Sequence, residues 1–298
     1  MDVRQLRQFL AVVDHGTVHR AAEHLFVAQP SVTQTIRGLE SELGTELFIR
    51  RGRGLVLSPS GAALVEPARE VVRALDVARE TVAAVEGLRG GRLRIASMPS
   101  QVVSPLTGLV ASFVERYPGV QVTIVAAARP GDVREALRCG VAEVGVVGSA
   151  GVTEALTDLN RLPLETQSFL LVARDDTQLP PGHDILSISE LRGLPLVAGQ
   201  PGTGMRRVAD HIVAATDCWI VVEIEHREGL LPLVLSGIGA AVVADSWRPL
   251  ADAVGLQVRR LAVDDALEVA LVWQRHRLSP AAAAFVAAAE DAGQTTAD

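Results

Sequence analysis

The sequence contains no lysine, because all 28 of its basic residues are arginines. Enzymes that hold pyridoxal phosphate through a lysine Schiff base are therefore excluded. The phosphate-binding loop GxxxxGK[ST] is excluded for the same reason. The motifs GxSxG and HExxH, which mark serine hydrolases and metalloproteases, are absent as well. We therefore expect no catalytic residue and no cofactor of these classes.

Cysteine and aromatic residues are scarce. Cys139 and Cys218 are far apart, form no CxxC motif and have no histidine at metal-ligand spacing. We expect two small buried side chains, and neither a zinc site nor a redox pair, while a single exposed oxidant-sensing thiolate stays open as an alternative. With three tryptophans, one tyrosine and six phenylalanines, the sequence disfavours an aromatic-lined ligand pocket.

Long apolar runs are missing too. None reaches the roughly 18 residues that a membrane span needs. The opening residues, MDVRQLRQFL, lack the basic and apolar regions of a secretion signal. We therefore expect a cytoplasmic protein with no membrane partner. The 298 residues, 48% of them apolar, are enough for two or three domains with sizeable cores.

The net charge of −7 is unevenly distributed. Residues 1–60 hold seven arginines and six acidic residues, whereas the remainder holds 21 arginines and 29 acidic residues. Four of the seven N-terminal arginines lie between residues 37 and 53. A basic edge on an acidic chain favours a small nucleic acid-binding domain joined to a body with another role.

Two short helical patterns meet at a tight turn within residues 21–43. In the second pattern Val32, Ile36, Leu39 and Leu43 recur at steps of four, three and four, which places them on one helix face. The opposite face presents short polar side chains and one arginine, the types that hydrogen-bond to bases and phosphates. The pattern predicts a helix-turn-helix with a recognition helix from Pro30 to about Leu43. An ordinary amphipathic helix pair is the alternative.

A β-hairpin and a long helix are predicted next. Apolar strands over residues 47–50 and 55–57 flank a glycine-bearing tip, and such a hairpin forms a wing whose Arg53 reaches a minor groove or phosphates. From Ser58 to about residue 87, apolar residues such as Val71 and Leu75 recur at three- and four-residue steps. No later helix is equally long, so a second copy of the chain is the expected partner.

From Arg92 onwards, short apolar runs alternate with helical patterns. This alternation indicates α/β layers with largely parallel sheets. Two loops that precede helices, around Ser100 and Thr203, offer hydroxyl groups and free backbone N–H groups, which attract anions. A plain helix cap is the alternative for each hydroxyl.

Several linked motifs occupy residues 4–61: RQLRQFLAVVDHGTVHRAA, then LFVAQPSVTQTI, LESELGTELFIR and LSPSG. Weaker matches follow in FVERYPGV, EALRCGVAEVGVV and LPLVLSGIGAAVVADS. In this order and spacing they resemble the LysR-type transcriptional regulators along the whole chain. Ala28, where a hydroxyl is usual, and the unexpected Gly38 depart from that pattern and place recognition-helix stability in doubt.

The resemblance implies an α/β fold class with an all-α N-terminal winged helix-turn-helix, a long linker helix and two α/β subdomains like those of periplasmic binding proteins. The implied ranges are 1–58 for DNA binding, 59–89 for the linker and dimerisation helix, and 90–298 for effector binding. Within the last, subdomain I takes 90–163 and 268–298, and subdomain II takes 164–267. The implied function is a sequence-specific DNA-binding transcriptional regulator, not an enzyme, that responds to a small-molecule effector and assembles as a homodimer or homotetramer.

Two sets of site residues are predicted on this basis. The DNA-binding set comprises Gln29, Pro30, Ser31, Thr33, Gln34, Arg37, Arg50 and Arg53. The effector-binding set comprises Ser100, Gln101, Arg129, Thr203 and Arg227. We expect Ser100 and Thr203 to face each other across a cleft at two helix N-termini, and arginines in the same cleft favour a small organic anion as effector.

Two other classes of function stay open at this point. The α/β body by itself fits a solute-binding protein, but the winged head and the missing export signal argue against that class. A cleft with serine, glutamate and arginine also fits an enzyme, but no nucleophile–base pair or metal cluster is readable. An assay of DNA binding separates the regulator from both.

Overall fold

The computed structural model describes residues 1–51, 54–84, 88, 90–149, 156–175, 179–180, 184–275 and 278–295. The chain forms two compact units, the first holding Met1–Gly87 and the second nearly all of the rest. The elements of the first unit are α1 (Val3–His15), α2 (Val18–His24), α3 (Gln29–Leu43), β1 (Phe48–Arg51), β2 (Gly54–Leu57) and α4 (Pro59–Ala83). No helix in the described ranges is long and apolar enough to cross a bilayer.

Local signals separate the first helices. The Asp2 carboxylate accepts from the Gln5 backbone N–H at 2.8 Å while the Gln5 side chain accepts from the Asp2 N–H at 2.7 Å, which makes a capping box. Gly16, with φ of 71°, ends α1. The Thr17 hydroxyl then accepts from the Arg20 N–H at 3.2 Å and starts α2.

One apolar core holds this unit together. Phe9 of α1, Ala21 of α2, and Val32 and Leu39 of α3 are fully buried, and Leu47 closes the core beside the hairpin. Burying each large apolar side chain stabilises the fold by roughly 1.5–3 kcal/mol. Three residues of the predicted stripe, Val32, Ile36 and Leu39, therefore form the buried face of α3, whereas Leu43 at the end of the helix is 40% exposed. The opposite face is left to solvent.

The linker helix α4 uses its apolar residues in two ways. Ala68 is buried, and Leu64 and Val72 pack partly against the core of the first unit. Val71 and Val82 are 45% and 74% exposed. Part of the predicted stripe thus packs on its own chain, which leaves the residues on its outer edge uncovered.

Ion pairs fasten α4 to α1. Arg69 contacts Asp14 at 2.5 Å, and Arg7 pairs with Asp76. These pairs join residues far apart in sequence across one helix–helix contact. Because both are substantially exposed, each contributes little stability by itself.

The second unit alternates strands and helices. Its helices are α5 (Pro99–Gln101), α6 (Thr107–Arg116), α7 (Pro130–Arg138), α8 (Gly204–Ala215), α9 (Leu230–Leu235), α10 (Arg248–Ala253) and α11 (Pro280–Thr295). Its strands are β3 (Gly91–Ser97), β4 (Val120–Ala126), β5 (Val144–Ser149), β6 (Leu159–Gln167), β7 (Phe169–Ala173), β8 (Ile185–Ser187), β9 (Pro195–Gly199), β10 (Trp219–Ile224), β11 (Ala241–Ala244), β12 (Gln257–Ala262) and β13 (Leu267–Gln274).

These strands form two groups, which we call subdomain I and subdomain II. Subdomain I is built on a five-stranded sheet in the order β4-β3-β5-β13-β6. Subdomain II combines a four-stranded sheet, β11-β7-β12-β8, with the parallel pair β10-β9, and a bridge between Leu196 and Ala240 links the two. The chain crosses from β6 to β7 at Ser168 and returns between β12 and β13.

The sheets are mixed, so the expectation of largely parallel sheets was wrong. Strand β13 runs antiparallel to both β5 and β6, and β7 runs antiparallel to β11 and β12. The alternation of strands and helices did not reveal this, because the chain leaves subdomain I along β6 and re-enters along β13 in the opposite direction.

Three strands and two short helices, α5 and α10, were not predicted from sequence. Strands β6, β8 and β12 have mixed polar and apolar residues, since much of their surface is only half-buried. Pro163 within β6 also argues against a central strand, yet β6 lies at the sheet edge, where proline is tolerated. The six-residue helix α10 is too short to show a clear helical period.

Candidate functional site

The surface of α3 opposite its buried stripe is the first candidate site. Gln29, Pro30, Gln34 and Arg37 are exposed. Ser31 and Thr33 are half-buried on the same helix, and the Thr33 hydroxyl donates to the Gln29 carbonyl at 3.1 Å. Burial of Val32 and Leu39 orients this surface outward. The structure therefore gathers six of the predicted DNA-binding residues on the accessible side of one helix.

Glu40 joins the hairpin to α3. Its carboxylate accepts from the backbone N–H groups of Leu47 and Phe48, at 2.8 and 3.3 Å. This fixes the start of β1 relative to the exposed side of α3. Arg50 lies in β1, but its side chain falls outside the described part of the structure, and Arg53 lies outside the described residues altogether.

The N-terminus of α3 lacks a side-chain cap, as the sequence predicted. Ala28 occupies the cap position with extended backbone angles and makes no side-chain hydrogen bond. Pro30 lies in the first turn, where its missing N–H leaves no donor unpaired. Gly38 lies in the helix interior, and a methyl group added there would meet only the Gln5 side chain, at 3.8 Å.

The second candidate site lies between subdomains I and II. Ser100 follows β3 in subdomain I, and Arg227 follows β10 in subdomain II. Arg227 Nη1 donates to Ser100 Oγ at 2.6 Å. Both residues are buried, with Ser100 2% and Arg227 4% exposed. The two predicted effector residues therefore touch each other directly.

The charge of Arg227 is poorly compensated. Its Nη2 is buried and has no hydrogen-bond partner in the described chain, and no ion pair to a described carboxylate is formed. Burial lowers the pKa of the guanidinium from its ordinary value, because low-polarity surroundings disfavour the charged form. A buried cation whose neighbour is a neutral hydroxyl has unused capacity to bind an anion.

Arg206 of the same subdomain makes a useful contrast. Its guanidinium binds Asp210 at 2.7 Å, Glu223 at 2.5 Å and the Gly199 carbonyl at 2.8 Å. The hydrogen bond that Arg206 donates to Asp210 is the largest of the contacts that raise the pKa of Arg206. Arg206 is thus a saturated structural cation, whereas Arg227 is not.

Gln101 follows Ser100 in the sequence and is completely buried. Neither its amide nitrogen nor its carbonyl oxygen has a hydrogen-bond partner among the described residues. A methyl group at Gly148 would lie 2.5 Å from Gln101 Nε2, so only glycine leaves room for the carboxamide. Sequence reasoning missed Gly148, although a glycine inside a buried strand is a known sign of close approach by another group.

Thr203 and Arg129 have different surroundings. The Thr203 hydroxyl accepts from the Arg206 N–H at 3.4 Å and donates to the Gln200 carbonyl at 3.3 Å, so it caps α8. Arg129 is largely exposed and lies 3.5 Å from Asp132, while its Cδ would be 3.3 Å from a methyl group on Gly202. Arg129 therefore approaches the loop before Thr203 from the solvent side.

A small cavity lies beside Arg227 within subdomain II. The cavity beside Arg227, which Gly199, Met205 and Trp247 also line, measures about 10 Å³. This is room for about one water molecule. The indole Nε1 of Trp247, a residue that sequence reasoning missed, is buried without a described partner. An effector group larger than water requires the side chains around this cavity to move.

Comparison with known proteins identifies this architecture. Residues 3–62 match the family model of the bacterial regulatory helix-turn-helix proteins of the lysR family, and residues 86–294 match the LysR substrate binding domain. The chain belongs to the LysR family of transcriptional regulators. It is therefore a DNA-binding regulator with an effector-binding domain, and not an enzyme.

Relatives of this LysR-type regulator match over nearly their full length. The HTH-type transcriptional regulator TdfR of Cupriavidus pinatubonensis (strain JMP 134 / LMG 1197) is 29% identical over 96% of this chain and 97% of its own length. IlvR of Caulobacter vibrioides (strain ATCC 19089 / CIP 103742 / CB 15) is 30% identical, with 94% of each chain covered.

Solved structures show the same fold. A full-length OxyR variant from Pseudomonas aeruginosa aligns with a TM-score of 0.72 at 21% identity, covering 97% of this chain and 94% of that one. The LysR family regulator CbnR aligns with a TM-score of 0.69 at 20% identity, covering 98% and 99%. The winged helix-turn-helix, the linker helix and the two α/β subdomains are thus the family architecture.

Proposed function

We propose that this regulator senses a small organic anion at the Ser100–Arg227 pair, and that occupancy of this cleft changes operator binding by α3 and the wing. The observation that carries the proposal is the buried guanidinium of Arg227, whose Nη2 has no partner among the described residues and whose Nη1 contacts a neutral hydroxyl. The proposal also places the protein in the cytoplasm, where its DNA is.

The chemistry of Arg227 favours a carboxylate over other groups. A guanidinium presents parallel N–H donors that match the two oxygens of a carboxylate. Nη1 and Nη2 would then both be paired, and the buried charge would gain the counter-charge that it lacks. Ser100 would be released from Arg227 and could donate its own hydroxyl hydrogen to the anion.

The expected anion also carries a hydrogen-bonding group near its carboxylate. Gln101 offers an amide nitrogen as donor and a carbonyl oxygen as acceptor, both buried and without a partner in the described part of the chain. A hydroxyl or amino substituent on the effector would satisfy them, whereas a purely apolar tail would not. A small hydroxy acid or amino acid therefore fits better than a simple fatty acid.

Binding beside Arg227 would be coupled to a change in shape, since the cavity there has room for about one water molecule. The Arg227–Ser100 hydrogen bond joins the subdomains directly and stabilises this closed form. An anion that takes over Arg227 favours a more open arrangement, and it shifts the equilibrium by its difference in affinity for the two forms. The linker helices would carry this change to the DNA-binding units.

On the DNA side, we assign base and backbone contacts to Gln29, Pro30, Ser31, Thr33, Gln34 and Arg37 of α3, with Arg50 and Arg53 of the wing. The support is their position on the accessible side of α3, and on the hairpin that Glu40 fixes to it. Residues 1–58, 59–89 and 90–298 then bind DNA, dimerise and bind effector. The structure of CbnR with its target DNA, at a TM-score of 0.56, lends support from a related fold.

The proposal is tested by calorimetric titration of the full chain with small mono- and dicarboxylates, together with the neutral amide of each. We expect a carboxylate to bind and its amide to bind at least tenfold more weakly. The same ligand should change the affinity for a duplex that the protein has selected from a randomised library. Preference for a cation or for the neutral amide would refute the anion site, and ligand binding without any change in DNA affinity would refute the coupling.

A further inference from the structure

One aromatic side chain of the first unit lies outside its core. Phe26, in the turn between α2 and α3, is 94% exposed. Other large apolar residues in the described ranges are exposed to a smaller extent. Its neighbour Val27 is 37% exposed. The turn therefore presents apolar surface directly beside the start of the recognition helix.

The backbone at Phe26 is one that favours glycine. Its φ is 54°, and it alone among the described non-glycine residues has a positive φ. The N–H of Phe26 donates to the Glu23 carbonyl at 3.1 Å, and that of Val27 donates to the Ala22 carbonyl at 3.0 Å. This is the helix ending in which a left-handed residue, usually glycine, follows the last turn.

The neighbouring helices end in the usual way. Gly16 follows α1 with φ of 71°, and Gly44 follows α3 with φ of 68°. Phe26 instead places a Cβ in the crowded left-handed region and a ring in water. The fold thus bears strain at this position and gains no packing in the described chain in return. A side chain of this kind points to a contact outside the chain.

We infer that Phe26 contacts DNA, and that its ring packs against the apolar surface of the duplex at the edge of the major groove. Phe26 lies three residues before Gln29, the first residue of α3. Recognition helices contact bases with their N-terminal residues, so the turn before them meets the rim of the groove. Exposed Gln29 and Pro30 continue the same surface.

Two parts of DNA offer the apolar chemistry that a phenyl ring needs. These are the methyl group of thymine, which Phe contacts in the major groove, and the carbon atoms of deoxyribose. Neither contact involves a charged group, so Phe26 should add affinity that does not depend on counterion release. This distinguishes it from the arginines of the same unit.

The experiment compares wild type with Phe26→Asn, since asparagine tolerates left-handed backbone. The probe is a duplex that the wild-type protein has selected from a randomised library. We expect affinity to fall about five- to tenfold, with an unchanged slope of log affinity against log salt. Because the strain is relieved, the melting temperature of the DNA-binding unit should rise by about 2–5 °C. Phe26→Tyr should restore affinity.

Val254→Asn is the matched control, because it removes an apolar side chain that is 46% exposed in the second unit, and it should leave DNA affinity unchanged. If the ring contacts a thymine methyl group, replacing thymine by uracil should lower the DNA affinity of wild type but not that of Phe26→Asn. If the ring contacts deoxyribose, the replacement should change the affinity of neither protein. Unchanged affinity of Phe26→Asn overturns the inference. So does a lower melting temperature, which assigns the ring to the fold, or a changed assembly state by light scattering, which assigns it to a second copy.

Discussion

The guanidinium of Arg227 donates to the hydroxyl of Ser100 across 2.6 Å, and this contact links two subdomains through a pair of buried side chains. A cation in such surroundings would ordinarily be paired with a carboxylate. Here its described partner is neutral, and one of its nitrogens is unpaired. The pair is therefore a candidate ligand site whose two side chains bind each other, and not a structural ion pair.

Replacing Arg227 separates its role in binding from its effect on stability. Arg227→Met keeps an unbranched apolar stem but removes a buried charge that has no described carboxylate partner. We expect the free energy of unfolding without effector to rise by about 1–2 kcal/mol, and affinity for the carboxylate to fall about 10- to 100-fold. Chemical denaturation and calorimetry measure the two quantities. A variant that is less stable than wild type and binds as tightly would contradict both expectations.

Substitutions of Thr203 test whether its hydroxyl stabilises the fold or binds the effector. Because its side chain caps α8, Thr203→Ala should lower the free energy of unfolding by about 1 kcal/mol, while Thr203→Ser should keep it. In titrations, Thr203→Ala should lose less carboxylate affinity than Arg227→Met. If the alanine variant is as stable as wild type, the hydroxyl is not an effective cap and a purely ligand-binding role gains weight.

The sequence predicted the architecture well because its signals there are local and repeated. The stripe Val32, Ile36 and Leu39 predicted the buried face of α3, and the glycine at Gly44 its end. The direction of β13 was not predictable, since strand polarity follows from two chain crossings and not from any local pattern.

The residues of the candidate effector site were named from the sequence, whereas the contact between Ser100 and Arg227 was not predicted. Ser100 and Thr203 were expected at two helix N-termini facing each other, yet Ser100 lies in a helix of three residues, too short for a sizeable dipole. The positive charge comes from Arg227, which contacts Ser100 although the two residues are 127 positions apart in the sequence. Contacts of such separation are set by the tertiary fold, and so one sequence does not reveal them.

Salt dependence tests whether Arg37 and Arg53 contact DNA. Arg37→Ala and Arg53→Ala should each flatten the slope of log affinity against log salt by about one unit, because each loses one phosphate contact. Gln29→Ala should instead weaken the selected duplex by about 1–3 kcal/mol and random DNA far less. Fluorescence anisotropy at several salt concentrations measures this, with the exposed Arg192 of the second unit replaced by alanine as control. Equal slopes in all variants would remove these arginines from the interface.

Assembly through α4 is tested on the uncovered edge of its stripe. Val71 is 45% exposed and Leu75 is half-buried, so Val71→Asp with Leu75→Asp places charge where a second copy is expected to pack. Light scattering should show loss of the dimer, while circular dichroism shows a folded chain. Val254→Asp, which adds charge at an exposed apolar residue elsewhere, should leave the size unchanged. A double variant of unaltered size would assign this edge to the chain itself.

Two substitutions should strengthen the recognition helix without touching its buried stripe. Ala28 has extended backbone angles at the cap position but no side-chain oxygen, so Ala28→Ser should stabilise the DNA-binding unit by about 1 kcal/mol. Gly38→Ala should add roughly another 1 kcal/mol, since the new methyl group would lie 3.8 Å from the Gln5 side chain and meet no clash. The two positions are ten residues apart with no shared partner, so their effects should add. Thermal unfolding of the single and double variants checks this. A double variant with no gain would mean that packing against α1 and α2 already fixes α3, and that its weak local signals have no effect on its stability.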